Sequence, residues 1–298
     1  MFAKITKEYG GFDVLTEELT SAALENFSTR LYERFCAQFH TKDYMTNVRW
    51  ILRTYSSAKK TLLSALFVTQ ADHLEGLAMQ NLQFYTCYYA LFNALSSNLL
   101  LHPDISFDQV REISHGQIFR EIENYYIRFD IYNNELLKLL SESRLSRELY
   151  SYHLPLGGTE IAEGRELNPT KIFSDIQAAL PRILQVSNLQ SFIAYYAWMK
   201  KVGTQIDEYE KHQREVDDLF FSLIHREDHL KRHLAFDEAD YQSLGYMLNK
   251  IGQPFPISWF ISEKMLDDLE IGLEQESSSA AAYQVSDIAR YLSKTIQI

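Results

Sequence analysis

The sequence predicts an all-α protein. Only 11 Gly and 6 Pro interrupt its 298 residues, and apolar residues recur at spacings of three and four along almost the whole chain, which is the period of an amphipathic helix. Alternation with a period of two, which would indicate strands, has little support. We therefore expect a helical bundle with a buried central aromatic helix, followed by a helical C-terminal extension.

The first predicted helix runs from about Phe12 to His40. Its apolar residues form one stripe beside charged neighbours, as in a helix that packs one face against a core. The stripe consists of Leu15, Leu19, Ala22, Ala23, Phe27, Leu31, Phe35 and Phe39. A second helix is predicted from Tyr44 to about Leu66.

The third predicted helix contains residues 84–101, FYTCYYALFNALSSNLLL, with five aromatic residues and no charge. Its apolar arc is wider than a surface helix requires, which predicts burial on most sides. The amides of Asn93 and Asn98 must then find partners, because unpaired burial costs a few kcal/mol each. If the aromatic rings were exposed instead, they could stack on nucleic-acid bases. The pair His102-Pro103 is expected to end the helix.

Residues 76–103 contain no Asp, Glu, Lys or Arg, and about 20 apolar residues can span a bilayer. Amides and hydroxyls interrupt this stretch, however, and they are costly to place in hydrocarbon. The interrupting residues are Gln80, Asn81, Gln83, Thr86, Asn93, Ser96, Ser97 and Asn98. We therefore expect no membrane span.

Two further helices are predicted before a Gly-rich stretch. Ser106 or Asp108 can cap the first of them. Its apolar residues are Val110, Ile113, Ile118, Phe119, Ile122 and Tyr126. The second is predicted from about Asn133 to Tyr150.

Residues 153–169, HLPLGGTEIAEGRELNP, are Gly-rich and lack a helical period, which is typical of a boundary or a functional loop. We predict an N-terminal helical bundle over 1–155, a linker over 156–169 and a C-terminal helical region over 170–298. Helices of the last region are expected at about Thr170–Ala179, Leu189–His233, Asp237–Lys250 and Ile257–Glu274, with a terminal helix from Ala281.

The net charge and the two cysteines disfavour several classes of function. A net charge of -11 disfavours broad attachment to a phosphate backbone, which needs clustered Lys and Arg. Cys36 and Cys87 lie within helical patterns and make neither a disulfide framework nor a zinc site. The first residues, MFAKITKEYGGFDVL, lack the apolar run of a secretion signal. We expect a cytoplasmic protein without a cofactor.

The central run carries a resemblance to a known family. In YYALFNAL the residues Tyr88, Tyr89, Ala90 and Phe92 are followed after a turn by His115, which opens SHGQIFREI. This arrangement resembles the second and third helices of HEPN domains, which are small bundles of four or five helices. The resemblance covers about residues 50–155 and implies a HEPN-like core within the N-terminal bundle.

The resemblance also implies a function. Active HEPN proteins are metal-independent endoribonucleases of bacterial toxin and antiviral-defence systems, and they usually act as dimers. They use an Arg and a His separated by four to six residues near the start of the last core helix. Arg147 and His153 match that spacing and place, so the resemblance implies a phosphate clamp at Arg147 and a general acid–base at His153. Arg144, one turn earlier, would add a second phosphate contact. RNA is the expected partner, together with a protein partner or a second copy of the chain.

A second pattern is IHREDHLKRHL, where His225, His229 and His233 repeat every four residues. This spacing places side chains on one helix face, so His225 and His229 are candidates for holding a metal ion. On a helical wheel, however, they point away from the apolar stripe of Val216 and Phe220. A solvated helix face is the favoured interpretation, and we predict no metal.

A different function stays open. Where HEPN proteins commonly place a small polar residue after the Arg, this chain has Glu148, which would oppose an approaching phosphate. Together with the acidic balance, Glu148 favours a non-catalytic helical adaptor or regulatory subunit, in which Arg147 and His153 are ordinary cap and loop residues. Interface anchors would then be aromatic residues, if they are exposed. The candidates are Tyr125, Tyr126, Trp198 and Trp259.

Overall fold

The computed structural model describes residues 1–40, 43–76, 80–149, 169–203, 208–224, 236, 238–276 and 280–298. Over these residues the chain is helical and contains no strand, which confirms the predicted all-α class. Within the same residues, none of the helices combines the length and the apolarity needed to cross a membrane.

The described α-helices follow one another along the chain with short connections. A 3-10 turn at Ile127–Phe129 and two π-helical segments at Met247–Ile251 and Ile261–Met265 lie between them. The helices are α1 (Phe2–Tyr9), α2 (Asp13–Glu18), α3 (Ser21–Gln38), α4 (Tyr44–Gly76), α5 (Gln80–Leu100), α6 (Phe107–Arg111), α7 (His115–Tyr125), α8 (Asn134–Glu148), α9 (Pro169–Lys201), α10 (Tyr209–Ile224), α11 (Glu238–Tyr246), α12 (Ile257–Phe260), α13 (Leu266–Glu276) and α14 (Ala280–Ile296).

Helix α5 is the centre of the bundle. It packs along α4 and also contacts α7, α8 and α9. Most of its side chains are buried, including Phe84, Tyr88, Leu91 and Phe92, which confirms the predicted buried aromatic helix. Tyr85 is the exception among its rings, because 42% of the residue is exposed.

Polar side chains between α4 and α5 find partners inside the bundle. Asn93 Oδ1 accepts a hydrogen bond from Lys60 Nζ at 2.8 Å, and Asn98 Nδ2 donates to the carbonyl of Ile183 in α9 at 2.9 Å. The hydroxyls of Ser57 and Ser97 lie 2.7 Å apart. Both asparagines are therefore paired, as the sequence required.

The helix predicted from Ser106 to Tyr126 is two helices. Ser106 caps α6, as predicted, in a reciprocal pair with Gln109. Ser114 and Gln117 form a second capping box that starts α7. Because each box satisfies backbone N–H groups at a new helix start, the chain turns at residues 112–114 even though its apolar period continues.

The predicted break between Thr170–Ala179 and Leu189–His233 is wrong. Helix α9 runs without interruption through Pro181. Proline inside a helix costs about 3 kcal/mol, and burial of neighbours such as Leu180 and Leu184 offsets that cost. The helix ends instead at Lys201, where Gly203 adopts a φ of 73° and donates its N–H to the carbonyl of Trp198, a helix-ending geometry that favours glycine.

Helix α9 packs against α3, α5 and α8. Its buried residues belong to the same hydrophobic cluster as those of α3 and α5. The linker predicted over 156–169 lies almost wholly outside the described residues, so the division of the chain at that point stays a prediction.

Candidate functional site

The last two turns of α8 carry two of the predicted site residues, Arg144 and Arg147. His153 lies outside the described residues, and so do the metal candidates His225 and His229. The pairing of Arg147 with His153 therefore stays a prediction. In the described part of the chain, no group of three or more His, Cys, Asp or Glu residues has the geometry to hold a metal ion.

Arg147 packs against the aromatic rings of α5. Its guanidinium lies 5.0 Å from the centre of the Tyr88 ring, and its Nη1 donates to the hydroxyl of Tyr89 at 3.2 Å. Only 8% of the residue is exposed. Cation–π contacts are worth about 0.5–2 kcal/mol, so Arg147 holds the end of α8 against α5.

Glu148 contacts both arginines. Its Oε1 accepts from Arg144 Nε at 2.8 Å and from Arg147 Nη2 at 3.4 Å. Burial alone would lower the pKa of Arg147, but the Tyr89 hydroxyl and the Glu148 carboxylate outweigh it, and the pKa lies above its ordinary value. Arg147 is therefore a permanent cation. Its Nε is buried and has no hydrogen-bond acceptor among the described residues.

His115 joins this group from α7. It is the first residue of that helix, after the Ser114 cap. Its Nδ1 forms a hydrogen bond with the hydroxyl of Tyr88, and its ring centre lies 4.8 Å from that of Phe92. Tyr88 thus connects His115 to Arg147 through one ring.

The ring of Tyr85 extends the group to the surface. Its centre is 4.6 Å from that of Tyr89, and Phe67 of α4 lies 5.9 Å from Tyr89 on another side. We call this set of residues the Arg147 cluster; it consists of Tyr85, Tyr88, Tyr89, His115, Arg144, Arg147 and Glu148.

The cluster combines three chemical capacities. Arg147 offers guanidinium donors that suit a phosphate group. A histidine can exchange a proton near neutral pH. The exposed ring of Tyr85 can stack on a nucleobase. In the sequence, His115 and Tyr89 were recognised only as residues of the HEPN motif. Their positions beside Arg147 were not predicted. The capping box at Ser114 is visible in the sequence and could have placed His115 at the start of a helix.

The aromatic anchors proposed for a protein interface divide into two groups. Tyr126 and Trp198 are fully buried and cannot form surface contacts. Tyr125 and Trp259 are partly exposed. Only the latter two can contribute to an interface.

Comparisons with models of protein families, with curated proteins and with solved structures found no match. The resemblance to HEPN domains accordingly stays a prediction that depends on the residues of α5, α7 and α8.

Proposed function

We propose that the protein is a HEPN-like RNA-binding protein that cleaves RNA without a metal ion at the Arg147 cluster. The observation that supports this most directly is the contact of the Arg147 guanidinium with Tyr88, whose hydroxyl bonds His115. A cation of the type that binds phosphate, an imidazole and an exposed aromatic ring thereby lie in one group of contacting residues. In this proposal the protein acts in the cytoplasm, in a toxin or antiviral role, as a dimer or with a protein partner.

The proposed reaction uses the 2′-hydroxyl of RNA as its nucleophile. Arg147 binds the scissile phosphate, with Arg144 as a second contact. His153 accepts the proton of the 2′-hydroxyl, whose oxygen attacks phosphorus, and a protonated group or water returns a proton to the departing 5′-oxygen. The products are a 2′,3′-cyclic phosphate and a free 5′-hydroxyl. His115 would act as a positioning residue that orients Tyr88 beneath Arg147.

Cleavage assays on the purified full-length chain test this proposal. Wild type should cleave total RNA and single-stranded oligonucleotides in the presence of a chelator. Arg147→Ala and His153→Ala should each lower the rate by about 100-fold or more, which is typical for loss of a charge-stabilising or proton-transfer group. Arg290→Ala is the matched control, because Arg290 is an exposed arginine on α14 whose ion pair, among the described residues, is with Asp287. Cleavage that both site variants leave unchanged would contradict the proposal.

Glu148 favours a second candidate function, a non-catalytic adaptor. Its carboxylate already accepts from both Arg144 and Arg147, which reduces the positive charge available to a phosphate. Glu148→Gln separates the two functions. In an RNA-binding protein, this change should tighten RNA binding several-fold, because a competing charge worth about 0.5–1 kcal/mol is removed. Glu142→Gln, on the same helix, is the control. An adaptor would show no RNA binding in any of the three proteins and would instead give a stable complex in a mild pull-down.

A further inference from the structure

A cavity of about 360 Å³ opens beside the C-terminal end of α5. It lies between α3 and the segment from Tyr125 to Asp130. His102 and Tyr88 are 14 residues apart in sequence, so at 1.5 Å per residue this cavity is about 20 Å along α5 from the Arg147 cluster. Its lining residues are Ala23, Asn26, Phe27, Arg30, Leu31, His102, Tyr125, Arg128, Phe129 and Asp130.

The rim of the cavity is basic. Arg30 and Arg128 are both exposed, and neither forms an ion pair with any residue that the structure describes. The Arg30 guanidinium lies 3.9 Å from the centre of the Phe129 ring, which fixes it at the rim. Of the described lining residues, Asp130 alone is acidic. The rim therefore carries a net positive charge.

A third arginine lies behind the cavity wall. Arg53 of α4 is 6% exposed and donates to the carbonyls of Leu100 at 2.7 Å and His102 at 2.9 Å. No described carboxylate pairs with it. A buried charge with only neutral acceptors is poorly screened, so its positive potential reaches the cavity that His102 lines.

His102 supplies a neutral donor. It is 4% exposed, and its Nδ1 accepts the backbone N–H of Asp104 at 3.3 Å, which leaves the proton of the neutral ring on Nε2. Burial and then the charges of Arg53, Arg30 and Arg34 lower the pKa of His102 to about 3. At neutral pH the ring therefore stays uncharged, and Nε2–H has no acceptor among the described residues.

We propose that this cavity binds a small phosphate monoester. Arg30, Arg128, His102 and Tyr125 line it, and their guanidinium, imidazole and hydroxyl groups are donors of the kind that suit the three oxygens of a phosphate dianion. The rings of Phe27 and Phe129 provide an apolar wall for the sugar or base attached to the phosphate. The volume lies in the range of small-molecule sites, about 300–1,000 Å³.

Calorimetric titration of the full-length chain tests the proposal with four probes: inorganic phosphate, ribose 5-phosphate, adenosine 5′-monophosphate and adenosine. The three phosphate-bearing probes should bind and adenosine should not. An affinity that rises from inorganic phosphate to the nucleotide would show that the wall contacts the organic part. Arg30→Gln and Arg128→Gln should each weaken binding by about tenfold, as expected for the loss of one charge-assisted donor. Because both side chains are exposed, neither change threatens folding; Arg214→Gln, an exposed arginine on α10, is the control.

Two further measurements separate this cavity from the site of the proposed function, on which the inference does not depend. Arg147→Ala should abolish RNA cleavage and leave phosphate binding unchanged. In nitrogen NMR spectra, His102 should show the Nε2–H tautomer, and its resonances should shift when phosphate binds. The inference is overturned if none of the three phosphate-bearing probes binds at millimolar concentration, if both rim variants bind like wild type, or if Arg147→Ala removes the binding.

Discussion

Two parts of α5, its middle around Tyr88 and its C-terminal end, each lie beside an arginine and a histidine, in different surroundings. Beside the middle of α5, Arg147 contacts the Tyr89 hydroxyl and Glu148, and its pKa lies above the ordinary value. At the C-terminal end of α5, the acceptors of Arg53 among the described residues are two carbonyls, and burial lowers its pKa to about 9. His102 beside it is held neutral.

This difference indicates different roles for the two arginines that pack against α5. Arg147 is also buried, but its partners are a phenol and a partly exposed carboxylate, and these keep it charged. A charge buried among carbonyls stabilises the chain only while those hydrogen bonds persist, because an uncompensated buried charge costs several kcal/mol. Because of this difference, we expect the stability contributed by each arginine and its neighbours to respond differently to pH and to substitution.

The largest expected effect is acid destabilisation through His102. The folded state holds its pKa near 3 against about 6.5 in an unfolded chain. Between these values only the unfolded chain binds the proton, so the free energy of unfolding falls as the pH drops from 6.5 towards 3, by up to about 5 kcal/mol. Urea unfolding of wild type and His102→Gln at several pH values measures this. The variant should lose less stability in acid, and parallel curves for the two proteins would contradict the prediction.

The second effect compares the two arginines directly. Arg53→Ala removes the donors of two carbonyls and leaves a cavity under the end of α5, so it should lower the free energy of unfolding by about 4 kcal/mol. Arg147→Ala should cost less, about 2 kcal/mol, because it loses cation–π contacts and its hydrogen bonds to Tyr89 and Glu148 but leaves no buried carbonyl without its donor. Chemical denaturation at pH 7 gives both values. Equal losses would mean that the two arginines do not differ in the way described.

Sequence patterns predicted the helices more completely than the site. The width of the apolar arc was enough to place Tyr88 and Leu91 in the core, since periodicity is a local signal. The passage of α9 through Pro181 was not predictable, because burial of its neighbours outweighs the local cost of proline. Contacts such as Arg147 with Tyr88 depend on packing between residues 59 positions apart.

The contacts of Arg53 were not predicted from the sequence. Arg53 lies in the predicted second helix, and nothing near it in sequence indicates that its partners are the carbonyls of Leu100 and His102. In the sequence, His102 was interpreted only as the residue that precedes Pro103 and ends the helix. Burial and neighbouring charges set its protonation, and both come from elements distant in the sequence.

The smallest expected effect concerns the Tyr89 hydroxyl, which distinguishes the surroundings of Arg147 from those of Arg53. Tyr89→Phe removes the hydroxyl that accepts from Arg147 Nη1 and keeps the ring and its contacts with Tyr85 and Phe67. Loss of one partly buried hydrogen bond should cost about 1 kcal/mol in the free energy of unfolding. Tyr246→Phe, which changes a phenol on α11 that is 49% exposed, is the matched control and should be close to neutral. If Tyr89→Phe is also neutral while Arg147→Ala is costly, the Tyr89 hydroxyl does not help to hold Arg147, and the contrast between phenol and carbonyl acceptors at the two arginines would have to be abandoned.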